Sequence, residues 1–415
     1  MTATTVVIFL VVYAGMILGG LPLLQLDRTG VALLGAIALI SIDALTLEQA
    51  ARAIHLPTLI LLFSFMVVSA QMRLGGFYDW VTRRLASLSV EPPIFLAALI
   101  CAIALLSAVF SNDIVCLAVA PVLISACRQR RLDPIPHLLG LACAANIGSA
   151  ATLIGNPQNM LIGQTLHLSF AGYFTEVAPI VASGLLVTWA LIAWQARGRW
   201  ILPGSADAAE RRGDAPEEEM PLERWQTAKG LAVAAALLVA FLVTDWPREH
   251  VALTGAGVLL MSRKLHSSKM LGLVDWELLI LFIGLFVVNE AFQQTGIARE
   301  VLAKLVASGV HPDQPGWLFA LTLALSNILS NVPAVMLLLP VAQHPGDGPL
   351  LALVSTLSGN LLIVGSIANI IVVDAAAKQG VRIDWRRHAR TGVPVTVMTL
   401  ALSAFYPGLW LVHGR

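Results

Sequence analysis

The chain has 415 residues, 57% of them hydrophobic and only 12% charged, and its 26 basic and 25 acidic side chains leave a formal net charge of +1. A mean hydropathy of +0.80, with half of the roughly 25% charged residues usual in soluble domains, excludes a soluble globular protein. The balanced charge offers no electrostatic argument for a nucleic-acid partner, and none is expected.

Apolar stretches recur along the whole chain at about the 20 residues that a membrane-crossing helix requires, so the expected fold class is an all-α polytopic membrane protein. The first stretch, 5–21, has no basic residue before it and no small-residue cleavage pattern, and reads as a retained crossing, not a signal peptide. Crossings are then expected at about 30–42, 57–72, 137–166 and 172–196. Residues 198–229, including "LPGSADAAERRGDAPEEEMPLERW", are small, charged and proline-bearing and read as a mobile linker, with Glu217–Glu219 a solvated surface run. Five further crossings are expected at about 230–244, 251–262, 276–293, 350–377 and 391–411. Two segments, about 94–127 and 317–342, do not fit one span each. Trp317 to Val341 is 25 residues broken by "SNVP", whereas two crossings need about 40.

The two halves repeat. "VALLGA" at 31 matches "VALTGA" at 251, and "TLILLFSFMVVSAQMRLGGF" at 58 matches "LLILFIGLFVVNEAFQQTGI" at 278, both at an offset of 220. "SNDIVCLAVAP" at 111 matches "SNVPAVMLLLP" at 330, and "GNPQNMLI" at 155 matches "GSIANIIV" at 365, at offsets of 219 and 210. Such duplication underlies many secondary transporters. The expected domains are a first repeat, 1–197, the linker, 198–229, and a second repeat, 230–415.

Basic residues collect on the cytoplasmic side of membrane proteins. If 94–127 and 317–342 are re-entrant hairpins, 21 of the 26 Lys and Arg share one side, and only Arg52, Arg248, Arg299, Lys304 and Arg415 lie on the other. Treating each segment as a single crossing gives 12 against 14. The hairpin arrangement predicts a multi-pass protein of the cell (inner) membrane with its amino terminus outside and its linker cytoplasmic. Five crossings per half make the second repeat inverted, so the first hairpin enters from the cytoplasm and the second from outside.

Non-helical backbone at membrane depth is tolerated only where protein buries it or where it lines a wet cavity. Four such places stand out: the tips Ser111-Asn112-Asp113 and Ser330-Asn331-Val332-Pro333, and the breaks in "NIGSAATLIGNPQN" (146–159) and "STLSGNLLIVGSIAN" (355–369). Each break exposes helix ends, whose free N–H groups and partial positive charge suit an anion, while freed carbonyls and Asn or Ser oxygens suit Na⁺ or a proton-carrying group. The candidate substrate- and ion-binding residues are Ser111, Asn112, Asp113, Asn146, Gly155, Asn156, Gln158, Asn159, Ser330, Asn331, Ser358, Asn360, Ser366 and Asn369. Asp113, the one acid between Glu91 and Asp133 and replaced by Val332 in the second repeat, is the candidate coupling group. A carboxylate there must pair with a cation or take up a proton. No basic residue lies in the expected core, which favours a small, weakly charged or neutral oxyacid over a polycarboxylate. Cys101, Cys116, Cys127 and Cys143 form no CxxC pair and read as structural. No resident metal or cofactor is expected. An intramembrane enzyme, which would want paired catalytic groups at one depth such as HExxH or two aspartates, is not expected, because most of the nine histidines sit at expected helix ends or in loops; ATP-driven transport is not expected because GxxxxGK[ST] is absent.

"SND…AP", "NIGSAATLIGNPQNMLIG", "SNVPAVMLLLP" and "GNLLIVGSIANIIVVDAA" resemble the ion-transporter superfamily. It comprises arsenite permeases, D-type sodium/proton antiporters, the melanosomal P protein and divalent-anion/sodium symporters, and the arsenite-permease-like members are the most similar. The resemblance implies a scaffold and a transport domain, often in a homodimer, with elevator-like alternating access. In the symporters, Ser-Asn-Thr at both tips helps to bind sodium and a carboxylate. Here Ser111-Asn112 and Ser330-Asn331 match, while Asp113 and Val332 replace the threonines. The implied partners are a small anion or oxyacid, H⁺ or Na⁺ (the latter at the hairpin tips), and the bilayer, with sodium/proton antiport as the alternative.

Overall fold

The computed structural model describes residues 2–21, 24–201 and 221–405. Ten α-helices precede the linker: α1 (Thr2–Leu18), α2 (Arg28–Ser41), α3 (Leu47–Ala53), α4 (Leu56–Leu74), α5 (Phe77–Ala86), α6 (Pro92–Val109), α7 (Asn112–Gln129), α8 (Pro134–Ser149), α9 (Pro157–Thr165) and α10 (Phe170–Gln195). Ten follow it: α11 (Arg224–Val243), α12 (Arg248–Leu260), α13 (Ser267–Leu271), α14 (Trp276–Gln294), α15 (Ile297–Ala307), α16 (Pro315–Leu329), α17 (Asn331–Leu338), α18 (Asp347–Ser358), α19 (Ile367–Lys378) and α20 (Trp385–Ala404). Taken in order, each of α1 to α10 begins 210 to 223 residues before the helix of the same rank among α11 to α20, and helices of the same rank are called counterparts below. The one described sheet is a short antiparallel pair, Gly20–Leu21 with Leu26–Asp27.

Polar caps fix where the apolar helices begin. Asp27 accepts the Gly30 amide at 2.7 Å before α2, and Thr46 and Gln49 form a capping box at α3. Asp275 accepts the Leu278 amide at 2.9 Å before α14, and Asp384 the Arg387 amide at 2.7 Å before α20. The α4–α5 and α14–α15 corners both turn on a left-handed glycine, Gly76 (φ 69°) and Gly296 (φ 77°).

The helices pack in two groups. In the first, α2 lies along α14 and its counterpart α12 lies along α4, with α1 and α11 against α2 and α12. Lipid tails are as apolar as leucine, so close approach at small residues, not burial from water, holds such helices together. A Cβ on Gly284 of α14 would stand 2.7 Å from the Ala32 carbonyl carbon of α2. The second group comprises α6 to α9 and α16 to α19, closed by α10 and α20, which pack on one another. There α8 meets α6 so closely that a Cβ on Gly148 would lie 2.4 Å from the Ala104 Cα.

Six described helices, α4, α6, α7, α10, α11 and α14, are long and apolar enough to cross a membrane. The first expected hairpin, 94–127, corresponds to α6 and α7, both arms of crossing length; the second, 317–342, corresponds to α16, α17 and a 3-10 turn, Leu339–Val341, with shorter arms. The linker ends sooner than expected, because α11 starts at Arg224, not near 230. Its first turn docks on the end of α4: Gln71 Nε2 donates to the Gln226 carbonyl at 2.9 Å, and the Glu223 amide donates to the Gly75 carbonyl at 3.0 Å. Residues 202–220, with the Glu217–Glu219 run, and 406–415 lie outside the described residues.

Candidate functional site

The second group brings both tips and both breaks to one cleft, lined by Asn112, Asp113, Asn156, Pro157, Gln158, Ser330, Asn331, Val332, Ser366 and Ile367, with Leu278 from the first group. Except for Leu278, these residues are the caps and first turns of α7, α9, α17 and α19. Four helix N-termini therefore point at one space. Each carries N–H groups without intrahelical partners and about half a unit of positive charge. Among the described residues, no basic side chain lines it, and Asp113 is its one carboxylate.

Behind the cleft lies a network in which equivalent residues play equivalent parts. Asn159 Nδ2 donates to the Thr152 and Ser149 carbonyls at 3.1 and 3.4 Å, stitching the break between α8 and α9. Asn369 Nδ2, 210 residues later, donates to the Leu362 and Gly359 carbonyls at 3.1 and 2.8 Å across the second break. Each of those carbonyls is also shifted by 210 from its counterpart. Buried carbonyls freed by a break are thereby satisfied.

Asn146 is the hub on one side. Its Oδ1 accepts from Ser366 Oγ at 2.8 Å and Asn112 Nδ2 at 3.4 Å, and its Nδ2 donates to Asn360 Oδ1 at 2.8 Å and Asn369 Oδ1 at 3.1 Å. At the position equivalent to Asn146 stands Thr356. Its hydroxyl accepts from Asn156 Nδ2 and Gln158 Nε2, both at 3.2 Å, and faces Asn159 Oδ1 at 3.4 Å. The sequence reading did not select Thr356, although the 210-residue offset from Asn146 marks it.

The other candidates divide by position. Ser111 caps α7 and its amide donates to Ser69 Oγ of α4 at 3.4 Å. The Gly155 carbonyl accepts the Asn112 amide at 3.4 Å, and a Cβ on Gly155 would fall 2.3 Å from the Ser149 carbonyl oxygen, so no other residue fits there. Ser358 is turned away and bonds within α18, to the Ser355 carbonyl at 3.0 Å. Among the described residues, Asn112 Oδ1, Asn331 Oδ1 and Asn360 Nδ2 are buried without hydrogen-bond partners. Two of these three belong to residues lining the cleft. Ser330 holds left-handed backbone (φ 79°), a strain that marks the second tip alone.

The profile of the family described as Citrate transporter (CitMHS) matches residues 8–358. The chain belongs to the citrate-transporter family. It is therefore a membrane transporter of the ion-transporter superfamily. The 46 kDa membrane protein of Mycobacterium leprae is 30% identical over 443 residues, covering 99% of each chain. The silicon efflux transporter LSI3 of Oryza sativa is 28% identical, with 92% of each chain covered. The crystal structure of the Alcanivorax borkumensis YdaH transporter, described as having an unusual topology, has the same fold at a TM-score of 0.54 and 14% identity, over 100% of this family member and 98% of that chain.

Proposed function

We propose that the protein is a secondary active transporter that moves a small anion or oxyacid across the inner (cell) membrane, coupled to a proton or sodium gradient. The observation that supports this most strongly is the convergence of four helix N-termini on a cleft without a basic side chain. Four partial charges attract an anion but do not neutralise a polycarboxylate. Asp113 competes with the substrate for that field. When H⁺ or Na⁺ neutralises it, the helix ends are left to the substrate, and the two cargoes are thermodynamically linked. The unpartnered Asn112 and Asn331 oxygens at the tips fit a sodium ion. Silicon and citrate are the cargoes named for the rice relative and for the family; a cleft without a basic side chain among its described lining residues favours the less charged cargo.

The matched stitching of the two breaks supports a pair of inverted repeats, 1–197 and 230–415, with the amino terminus outside and the linker cytoplasmic. Leu278 then lies near the cytoplasmic end of α14, so the cleft faces the cytoplasm here. Transport requires an opposite-facing state, in which the second helix group has moved against the first.

Proteoliposomes offered arsenite, silicic acid, phosphate and citrate under imposed pH or Na⁺ gradients test the proposal. Gradient-driven flux of at least one is expected. The placement of Asp113 beside two unpartnered amide oxygens also suits a sodium/proton antiporter, whose signature would be Na⁺-driven proton movement with no anion present. The absence of both fluxes with the unaltered protein would overturn both readings.

A further inference from the structure

The counterpart helices α2 and α12 begin on equivalent arginines, Arg28 in "DRTGVALLGA" and Arg248 in "PREHVALTGA", 220 residues apart. Their surroundings differ. Arg248 donates to the Leu168 carbonyl just beyond α9, and its neighbour Glu249 accepts from Gln164 Nε2 of α9 at 3.2 Å. Helix α9 also packs along α4. The end of the first broken helix is thus tied to the first helix group.

At the opposite mouth these ties are open. Among the described residues, Arg28 Nε is buried without a hydrogen-bond partner. Thr29, at the position of Glu249, donates to the Glu277 carbonyl of α14 at 3.3 Å, a bond within the first group. Among the described residues, α19 makes at most marginal contact with α14. The carbonyl equivalent to that of Leu168 is nevertheless present. Leu168 follows His167 (φ 50°) and Val381 follows Gly380 (φ 76°), and the amides of both close back on their helix, to Gly163 at 3.1 Å and Ala376 at 2.8 Å.

We propose that Arg248 and Arg28 are alternately engaged positioning residues: Arg248 holds the end of α9 in the conformation seen, and in the opposite-facing state it lets go while Arg28 takes the Val381 carbonyl at the end of α19. A buried guanidinium nitrogen without an acceptor is costly. Each end state satisfies one arginine and leaves the other wanting, which keeps the two states close in free energy and disfavours positions between them. The proposal rests on the alternating-access reading above.

Its test is sided labelling. A Val332→Cys reporter, in a background with Cys101, Cys116, Cys127 and Cys143 replaced by alanine, is exposed to a membrane-impermeant maleimide in right-side-out and inside-out vesicles. Arg248→Gln should raise the ratio of outside to cytoplasmic labelling by roughly tenfold, the worth of one charge-assisted hydrogen bond. Arg28→Gln should lower it by a similar factor, and Glu249→Ala should act like Arg248→Gln but more weakly. A merely structural arginine would change yield or total labelling, not move the ratio in opposite directions. Shifts of the same sign, or none, with a reporter that both sides reach in turn would overturn the arginine exchange and leave alternating access standing. A reporter reached from one side only, in every variant and with each panel oxyanion present, would overturn alternating access and the exchange with it.

Discussion

The two hairpin tips occupy equivalent places and carry different chemistry. Ser111-Asn112-Asp113 opens the 18-residue α7 and brings a carboxylate to the cleft; Ser330-Asn331-Val332 opens the eight-residue α17 from a left-handed serine and brings a valine. Behind them, Asn159 and Asn369 stitch their breaks in the same way. The hydrogen-bonding scaffold is matched where the helices are interrupted, but the charge is not: the first tip brings a carboxylate to the cleft and the second a valine. Under the proposed function, a second carboxylate would cancel the helix-end field and none would leave nothing to couple, so this asymmetry is where the proposal is most exposed to test.

Replacing the unique acid breaks the comparison most severely. Asp113→Asn should reduce gradient-driven substrate accumulation by roughly 5- to 150-fold, the range of a coupling free energy of about 1–3 kcal/mol. Concentrative flux that survives this change in proteoliposomes would remove Asp113 from the mechanism. The glycines at the breaks come next. Gly155→Ala should lower stability by about 3 kcal/mol or more, because backbone oxygens of Ser149 and Ser107 lie 2.3 and 2.8 Å from the new Cβ. Gly365→Ala, its counterpart, meets nothing closer than 3.2 Å and should cost less than about 1 kcal/mol. Thermal unfolding in detergent, run side by side, reads that difference.

The hubs sharpen the comparison further. Asn146→Ala removes four hydrogen bonds among buried groups and should destabilise by about 2–3 kcal/mol. Thr356→Ala should cost about 1 kcal/mol, and equal effects in the same unfolding assay would mean that the equivalence runs deeper than the residue types suggest. Smallest of all, Val332→Thr adds a hydroxyl beside unpartnered oxygens without adding charge, and initial transport rates should stay within about twofold.

Much of this was legible in the chain. The 210-residue offset already aligns Asn159 with Asn369, and the coincidence of polar residues, glycine and proline in apolar runs marked Asn112, Asp113, Asn156, Gln158, Ser330, Asn331 and Ser366, which line the cleft. Three features were not legible, each for a tertiary reason. Ser358 sits in a marked segment but faces its own helix, and composition carries no facing. Leu278 lies in an unbroken apolar helix, and only docking of the two helix groups brings it to the cleft. The polar start of α11 reads as linker until the end of α4 supplies partners for Glu223 and Gln226.

The most direct test is a high-resolution map of the protein with the best-transported member of the oxyanion panel bound. The ligand should sit between Asn112, Asn156, Asn331 and Ser366, within hydrogen-bonding distance of first-turn amides from both halves of the chain. Density elsewhere, or tips that stand apart around separate ligands, would contradict a single chamber assembled from the two repeats.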